Sequence, residues 1–258
     1  MLNIRQAMTS NVARNMLRTL AFALALGGAA IIARAADKPV FIELYSSQGC
    51  SSCPPADKLL ADIAREPGVI ALTLPVDYWD YMGWKDTFAS PTHTARQKAY
   101  ARIRGDGQVY TPQVVINGLA HAVGSDVAAI RKISGETHGK SGAMSVPLKV
   151  TETPRGLTVE LGAAPSGAPQ KANLNLIRVA RSSVVAIGRG ENSGKTLIYT
   201  NVGRAAVRIG EWTGAAQTFE IPRETMESPI TDSWVVVLQA GDMKEPGVVL
   251  AAAKAPGL

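Results

Sequence analysis

The chain contains two cysteines, and they stand three positions apart in Cys50-Ser51-Ser52-Cys53, directly ahead of Pro54-Pro55. A disulfide that closes so short a loop removes little entropy from the unfolded chain, because that contribution grows with loop length. The spacing therefore argues for a pair that opens and closes rather than a structural staple. The prolines place the pair. A proline inside a helix loses a hydrogen bond and clashes, whereas the first helical turn has no such bond to lose. The sequence thus predicts a helix starting near Cys53. A helix start presents unpaired N–H groups and a partial positive charge, which favour a thiolate over a thiol. Cys50 is expected just outside the helix, exposed and nucleophilic, with Cys53 placed to resolve a mixed disulfide. The competing readings are a passive closed disulfide and two buried thiols.

The compartment bears on this. Arg5, Arg14 and Arg18 precede an uncharged apolar run, Thr19 to Ala33, and Ala33-Arg34-Ala35 offers a small-residue cleavage site. This is the pattern of a secretory signal peptide over residues 1–35, cut after Ala35. The run is shorter than the ~20 residues a spanning helix needs. The expected mature chain is periplasmic or secreted, where disulfides persist, with no stable membrane insertion after cleavage. The formal charge of +6 invites a nucleic-acid reading. It dissolves once residues 1–35 are set aside, because the remainder carries 23 basic against 21 acidic residues. No basic binding surface follows from that balance, and no nucleic-acid partner is expected.

Beyond the leader, Val40 to Tyr45 reads as a buried strand. Ala56, Leu59, Leu60, Ile63 and Ala64 then repeat as one face of a helix. Val69 to Val76 is a second strand, followed by a polar-aromatic loop from Asp77 to Ala89. Ser90-Pro91 starts a helix whose apolar stripe is Ala95, Ala99 and Ile103, stopped at Gly105. Gln113 to Ile116 and Leu119 to Val123 form a hairpin about Asn117-Gly118. A last helix carries Val127, Ile130 and Ile133. From Gly139 the period changes to short alternating strands separated by Gly, Pro, Asn and Ser. The expected fold is an α/β domain over 36–140 followed by an all-β, sandwich-like domain over 141–258.

The strand, the Cys pair at a helix start and the later Thr111-Pro112 resemble the thioredoxin fold. More narrowly, the stretch from Glu43 to Asp57, the stretch from Leu74 to Asp86, and Tyr110-Thr111-Pro112-Gln113 resemble an uncharacterised family of secreted thioredoxin-like bacterial proteins. The resemblance covers essentially the whole mature chain. It implies a fold and thiol–disulfide chemistry without a substrate. It also implies that Thr111-Pro112 is cis and faces the Cys pair, the cis form being costly except before proline.

Glu43 is the odd residue in its apolar strand. Thioredoxins carry a buried acid near the resolving cysteine, so the resemblance implies that Glu43 shuttles the Cys53 proton. The alternative is a structural ion pair. Tyr78, Trp79, Tyr81 and Trp84 crowd one loop. They would line a groove for a peptide substrate or cushion one half of the chain against the other.

Several patterns lead nowhere. Gly188 to Thr196 has nearly the glycines of a phosphate loop, but the spacing is off by one and a strand follows, so it reads as a hairpin turn. His93, His121 and His138 are scattered without metal spacing, and no organic cofactor is implied. The leading expectation is exported thiol–disulfide exchange with other thiol proteins, using Cys50, Cys53, Thr111, Pro112 and Glu43. The alternatives are a non-catalytic binding module whose pair stays oxidised and, third, soft-metal delivery through Cys50, Cys53 and His121.

Overall fold

A computed structural model describes residues 38–242 and 244–258. The expected leader and its cut after Ala35 lie outside the described residues. Strand β1 (Val40–Tyr45) is followed by helix α1 (Pro54–Ile63), strand β2 (Val69–Thr73), helix α2 (Pro91–Arg104), the hairpin β3 (Gln113–Ile116) and β4 (Ala120–Val123), and helix α3 (Val127–Thr137). Strands β5 (Leu148–Thr153), β6 (Gly156–Leu161), β7 (Ala172–Ala186), β8 (Thr196–Trp212), β9 (Gln217–Pro222), β10 (Ser233–Gly241) and β11 (Pro246–Lys254) complete the chain.

The alternating half and the strand-rich half share one sheet, where the sequence predicts two domains in succession. Eight strands run in the order β11-β10-β7-β8-β2-β1-β3-β4. The seam is a single parallel register pair, Thr73 with Val202. Side chains reinforce it: Thr73 Oγ1 donates to the Thr200 carbonyl at 2.7 Å, and Asn201 Nδ2 donates to the Ala71 carbonyl at 3.0 Å. Asn201 holds φ at 52°, a conformation that asparagine tolerates better than most residues. Strand β5 pairs with β6 and β6 with β9 in a separate three-stranded sheet. Leu157, Val159, Leu161 and Ile221 of that sheet pack with Leu174, Leu176, Trp212, Val236 and Leu238 of the large one. The strand-rich half therefore has the expected face-to-face sheets, but one of them is borrowed from the common sheet. Not all the strands expected to be short are so: β8 runs unbroken from Thr196 to Trp212, paired with the long β7.

Strand β1 is central, parallel to β2 and antiparallel to β3, and its alternation sorts the core. Val40, Ile42 and Leu44 pack with Ala56, Leu60 and Ile63 of α1 and Ile130 of α3. Phe41 and Tyr45 pack on the other face with Leu72, Tyr100, and Val235, Val237 and Val249 from β10 and β11. Glu43 points to that second face and is fully buried.

This burial explains the main departure in α2. Of the expected stripe of Ala95, Ala99 and Ile103 only Ala99 faces the core, since Ala95 is exposed and Ile103 is 49% exposed. The buried side carries His93, Thr94, Arg96, Gln97 and Tyr100 as well as Ala99. Arg96 Nε meets Glu43 Oε1 at 2.7 Å, and Tyr100 donates to Glu43 Oε2 at 2.7 Å. The guanidinium also donates to Gln239 Oε1 on β10 at 2.7 Å. A buried carboxylate requires this kind of pairing, and the helix rotates its polar side inward to supply it.

The Asn117-Gly118 turn ties three elements. Asn117 Oδ1 accepts from the Phe41 amide at 2.8 Å, its Nδ2 donates to Thr137 Oγ1 at 3.0 Å, and its carbonyl accepts from Val249. Gly118 has φ of 71°, and a Cβ there would stand 2.3 Å from the Gly247 carbonyl oxygen, so backbone approach excludes any side chain.

Replacing one partner of the buried pair should be far worse than replacing both. Arg96→Leu should cost about 3–5 kcal/mol in urea unfolding, and Glu43→Leu with Arg96→Leu should recover most of that loss.

Candidate functional site

Cys50 and Cys53 are bonded to each other, with their Cα atoms 5.4 Å apart. Cys53 is the residue that caps α1, and its carbonyl accepts from the amides of Ala56 and Asp57. Pro54 and Pro55 occupy the first turn, as the sequence predicts. The Cys50 sulfur lies 3.4 Å from Ser52 Oγ.

The exposure expected of Cys50 is not found. Cys50 is 1% exposed and Cys53 0%, although Ser51 and Ser52 between them are exposed. The cover comes from the distant β7–β8 hairpin. Asn192 Nδ2 donates to the carbonyls of Gln48 at 3.0 Å and Cys50 at 2.9 Å, and Lys195 Nζ donates to Asn192 Oδ1 at 2.9 Å. Next to it, the Ser51 amide donates to Glu191 Oε2 at 3.1 Å. The contact with Ser51 holds the exposed Glu191 carboxyl below its ordinary value. The segment with near-phosphate-loop glycines is thus a hairpin turn laid over the cysteines. The separation of 142 positions between Cys50 and Asn192 hides this from local sequence reading.

The aromatic loop forms the adjoining wall. Gln48 is its anchor: its amide donates to Asp86 Oδ2 at 2.7 Å, and its Oε1 accepts from Trp84 Nε1 at 2.8 Å. Asp86 Oδ1 also accepts from the amides of Phe88 and Ala89. Trp84 lies against the hairpin, so that a Cβ on Gly188 or Gly190 would stand 3.2 Å from it. Trp79 donates from Nε1 to Thr111 Oγ1 at 2.8 Å, and its Cβ is 3.2 Å from where a Cβ of Gly49 would be. Tyr78 is beside Trp79, ring centroids 6.3 Å apart. Tyr81 alone of the four is strongly exposed, at 80%.

Thr111-Pro112 is cis. A Cβ built on Gly124 would be 3.1 Å from both Pro112 Cβ and Ala56 Cβ, so this segment lies close to the first turn of α1. The sulfurs are covered, and the Thr-Pro segment lies near Ala56, three positions after Cys53.

Both Glu43 carboxylate oxygens are taken up, one by Arg96 and one by Tyr100. The geometry supports the ion-pair reading of this residue. The carboxyl that sequence reasoning overlooked is Asp57. It is on the buried side of α1, one turn beyond Cys53, whose carbonyl accepts from the Asp57 amide at 3.1 Å. Burial pushes its pKa up to about 7; the Ser46 hydroxyl pulls it back, and the charge of Asp86 raises it further. Burial, then the charges of Asp57 and Asp86, raise the phenol of Tyr199 on β8. The signal was present: Asp57 precedes Leu60 and Ala64 at helical spacing and so falls on the apolar stripe.

The histidines are dispersed. His93 Nδ1 meets the Pro75 carbonyl, His138 Nδ1 the Pro39 carbonyl, and His121 lies between Tyr110 and Asp106. The set Cys50, Cys53 and His121 is therefore not assembled, and among the described residues no group of three or more His, Cys, Asp or Glu is arranged to hold a metal ion. No helix among the described residues is long and apolar enough to cross a membrane.

A crystal structure of an Agrobacterium tumefaciens protein from a structural-genomics programme is similar to this one. The TM-score is 0.74 at 29% identity, covering 85% of this chain and 94% of that one. A curated relative from Archaeoglobus fulgidus named a probable thioredoxin is 42% identical over 38 residues. That match takes in 15% of this chain and spans only 42% of the relative's length. The profile of the family described as "Protein of unknown function (DUF1223)" matches residues 41–239, and the chain belongs to that family.

Proposed function

We propose that the chain is an exported thiol–disulfide exchange protein whose closed pair is its resting form. The observation that carries this reading is the bonded Cys50–Cys53 pair at the first turn of α1. An incoming thiolate attacks the Cys50 sulfur, the bond between the cysteines breaks, and Cys53 leaves as a thiolate. In the reverse direction Cys53 attacks the mixed disulfide on Cys50 and releases the client thiolate. The helix start favours the anionic sulfur in either direction.

Asp57 supports the proton side of this chemistry. A buried carboxyl with a pKa of about 7 exists in both forms near neutrality. It gives a proton to the departing Cys53 thiolate and takes one back when Cys53 attacks. Thr111 and Pro112 shape the place where a client chain meets the pair, and the leader-like residues 1–35 direct the chain to a compartment where disulfides persist.

A second reading, a non-catalytic interaction module with a permanently oxidised pair, is favoured by one observation: both cysteines are buried, and Asn192 donates to the Cys50 carbonyl. The Agrobacterium protein and the family described as of unknown function fit this second reading at least as well as the first.

Expressing Cys53→Ser in an exporting host separates the two. Exchange predicts client proteins trapped as mixed disulfides on Cys50, identified by mass spectrometry. An empty trap, together with a wild-type pair that resists dithiothreitol in the folded protein, establishes the module.

Two carboxyl variants test the assignment of the proton. Asp57→Asn should slow exchange at neutral pH on the order of 100-fold, whereas Glu43→Gln should lower stability and leave the exchange rate of the folded protein nearly unchanged. The pH dependence of stability follows from the raised pKa of Asp57. A carboxyl whose folded pKa lies above its unfolded value of 3.8 favours folding fully below that value. The contribution is lost as pH rises to about 7. Urea titrations should show wild type losing stability relative to Asp57→Asn across that window, with a constant difference above it.

A further inference from the structure

The tip of the β7–β8 hairpin is almost wholly exposed, yet it buries one polar side chain. From 188 to 196 every residue is exposed except Asn192, which is 0% exposed. Both N–H groups of its amide are used on the carbonyls of Gln48 and Cys50, and its oxygen accepts from Lys195. These acceptors belong to the loop that carries the reactive sulfur. The tip is fitted to its seat: Gly188 and Gly190 lie against the Trp84 indole, where a side chain would crowd it. Glu191 adds a third tie to that loop, at the Ser51 amide.

Behind the tip one face of the ribbon is anchored: Ile187 is 2% exposed and Tyr199 0%, with the Tyr199 ring 5.9 Å from that of Phe88. Strand β8 pairs with β2 only at Val202, and between there and the turn the two strands of the hairpin pair with each other. The outer face of this ribbon shows Val184 at 65% exposure and Ile198 at 59%. Beyond Ile187 the two strands have only each other, and a two-stranded ribbon is marginally stable by itself, so the position of the tip depends on its ties to Gln48, Cys50 and Ser51.

We propose that residues 187–195 form a latch over Cys50, with Asn192 as its positioning residue, and that lifting this latch sets the rate at which any thiol reaches the pair. The biological use of the latch rests on the exchange reading; the latch does not. With the tip down the sulfur is shielded. With the tip up, the Gln48 and Cys50 carbonyls and the Ser51 amide become free for the backbone of an incoming peptide. The latch thereby favours flexible peptide thiols, which can take over those hydrogen bonds, above small thiols, which cannot.

The test uses the full oxidised chain and dithiothreitol as the probe. Reduction of the Cys50–Cys53 bond should be roughly tenfold faster in Asn192→Ala, which loses both donated hydrogen bonds. Asn192→Asp, which keeps the volume but sets a carboxylate against two carbonyls, should be at least as fast. Asn192 contacts backbone groups that exist in both redox states, so the equilibrium with glutathione should move less than threefold while reduction and reoxidation both accelerate. If either Asn192 variant fails to fold, Lys195→Met decides, since it removes only an exposed tie; an acceleration of about threefold is expected. Rates within twofold of wild type overturn the latch, and so does an acceleration that merely follows the unfolding rate. Dithiothreitol is not a client, so an empty client trap leaves the latch standing, and an unaccelerated reduction leaves the exchange reading standing.

Discussion

The Glu43–Arg96 pair sits where every part of this structure meets. Glu43 is on the central strand, Arg96 on α2, and Gln239, which accepts from the same guanidinium, on β10. Tyr100 closes the group, donating to Glu43 and accepting from Arg96 and Gln239. Two opposite charges buried at 0% and 5% side-chain exposure tolerate little displacement, because each would be left without its counter-charge in a medium that solvates it poorly. The relative positions of β1, α2 and β10 are therefore specified by a polar group in addition to the apolar clusters around it. That is why the two halves of the chain share a core instead of resting against each other as separate bodies.

The cysteine site inherits this arrangement. Its floor is α1 and β1, one wall is the aromatic loop, and its roof is a hairpin from the other half of the chain. The roof reaches the site because β7 and β8 are long: they extend past the seam at Val202 and project their turn over Gln48 and Cys50. Charge is distributed unevenly beneath it. Glu43 is neutralised by Arg96, whereas burial and the charge of Asp86 raise the pKa of Asp57 to about 7.

Local signals in the sequence determined a good deal. Pro54-Pro55 after Cys53 specified where α1 starts, because only a first turn admits proline, and Ser90-Pro91 and Gly105 did the same for the ends of α2. Asn117-Gly118 specified its hairpin by a short-range rule of the same kind, in which a residue's own backbone preference suffices. The cis bond at Thr111-Pro112 was implied by the family resemblance, since an X-Pro bond by itself favours trans. The face that α2 buries was misread because apolar periodicity assumes an apolar surface opposite, and here the opposing surface carries Glu43.

Tertiary structure alone decided the rest. The sharing of one sheet by both halves depends on Thr73 meeting Val202, and the covering of Cys50 on Asn192 meeting carbonyls 142 and 144 residues away. No periodicity encodes such meetings, since they arise from strand length and from the closing of a core around a buried ion pair. The sequence by itself determined that two sulfurs stand at a helix start. Whether they are open to solvent was decided by the fold, because burial depends on what the distant chain places on top of them.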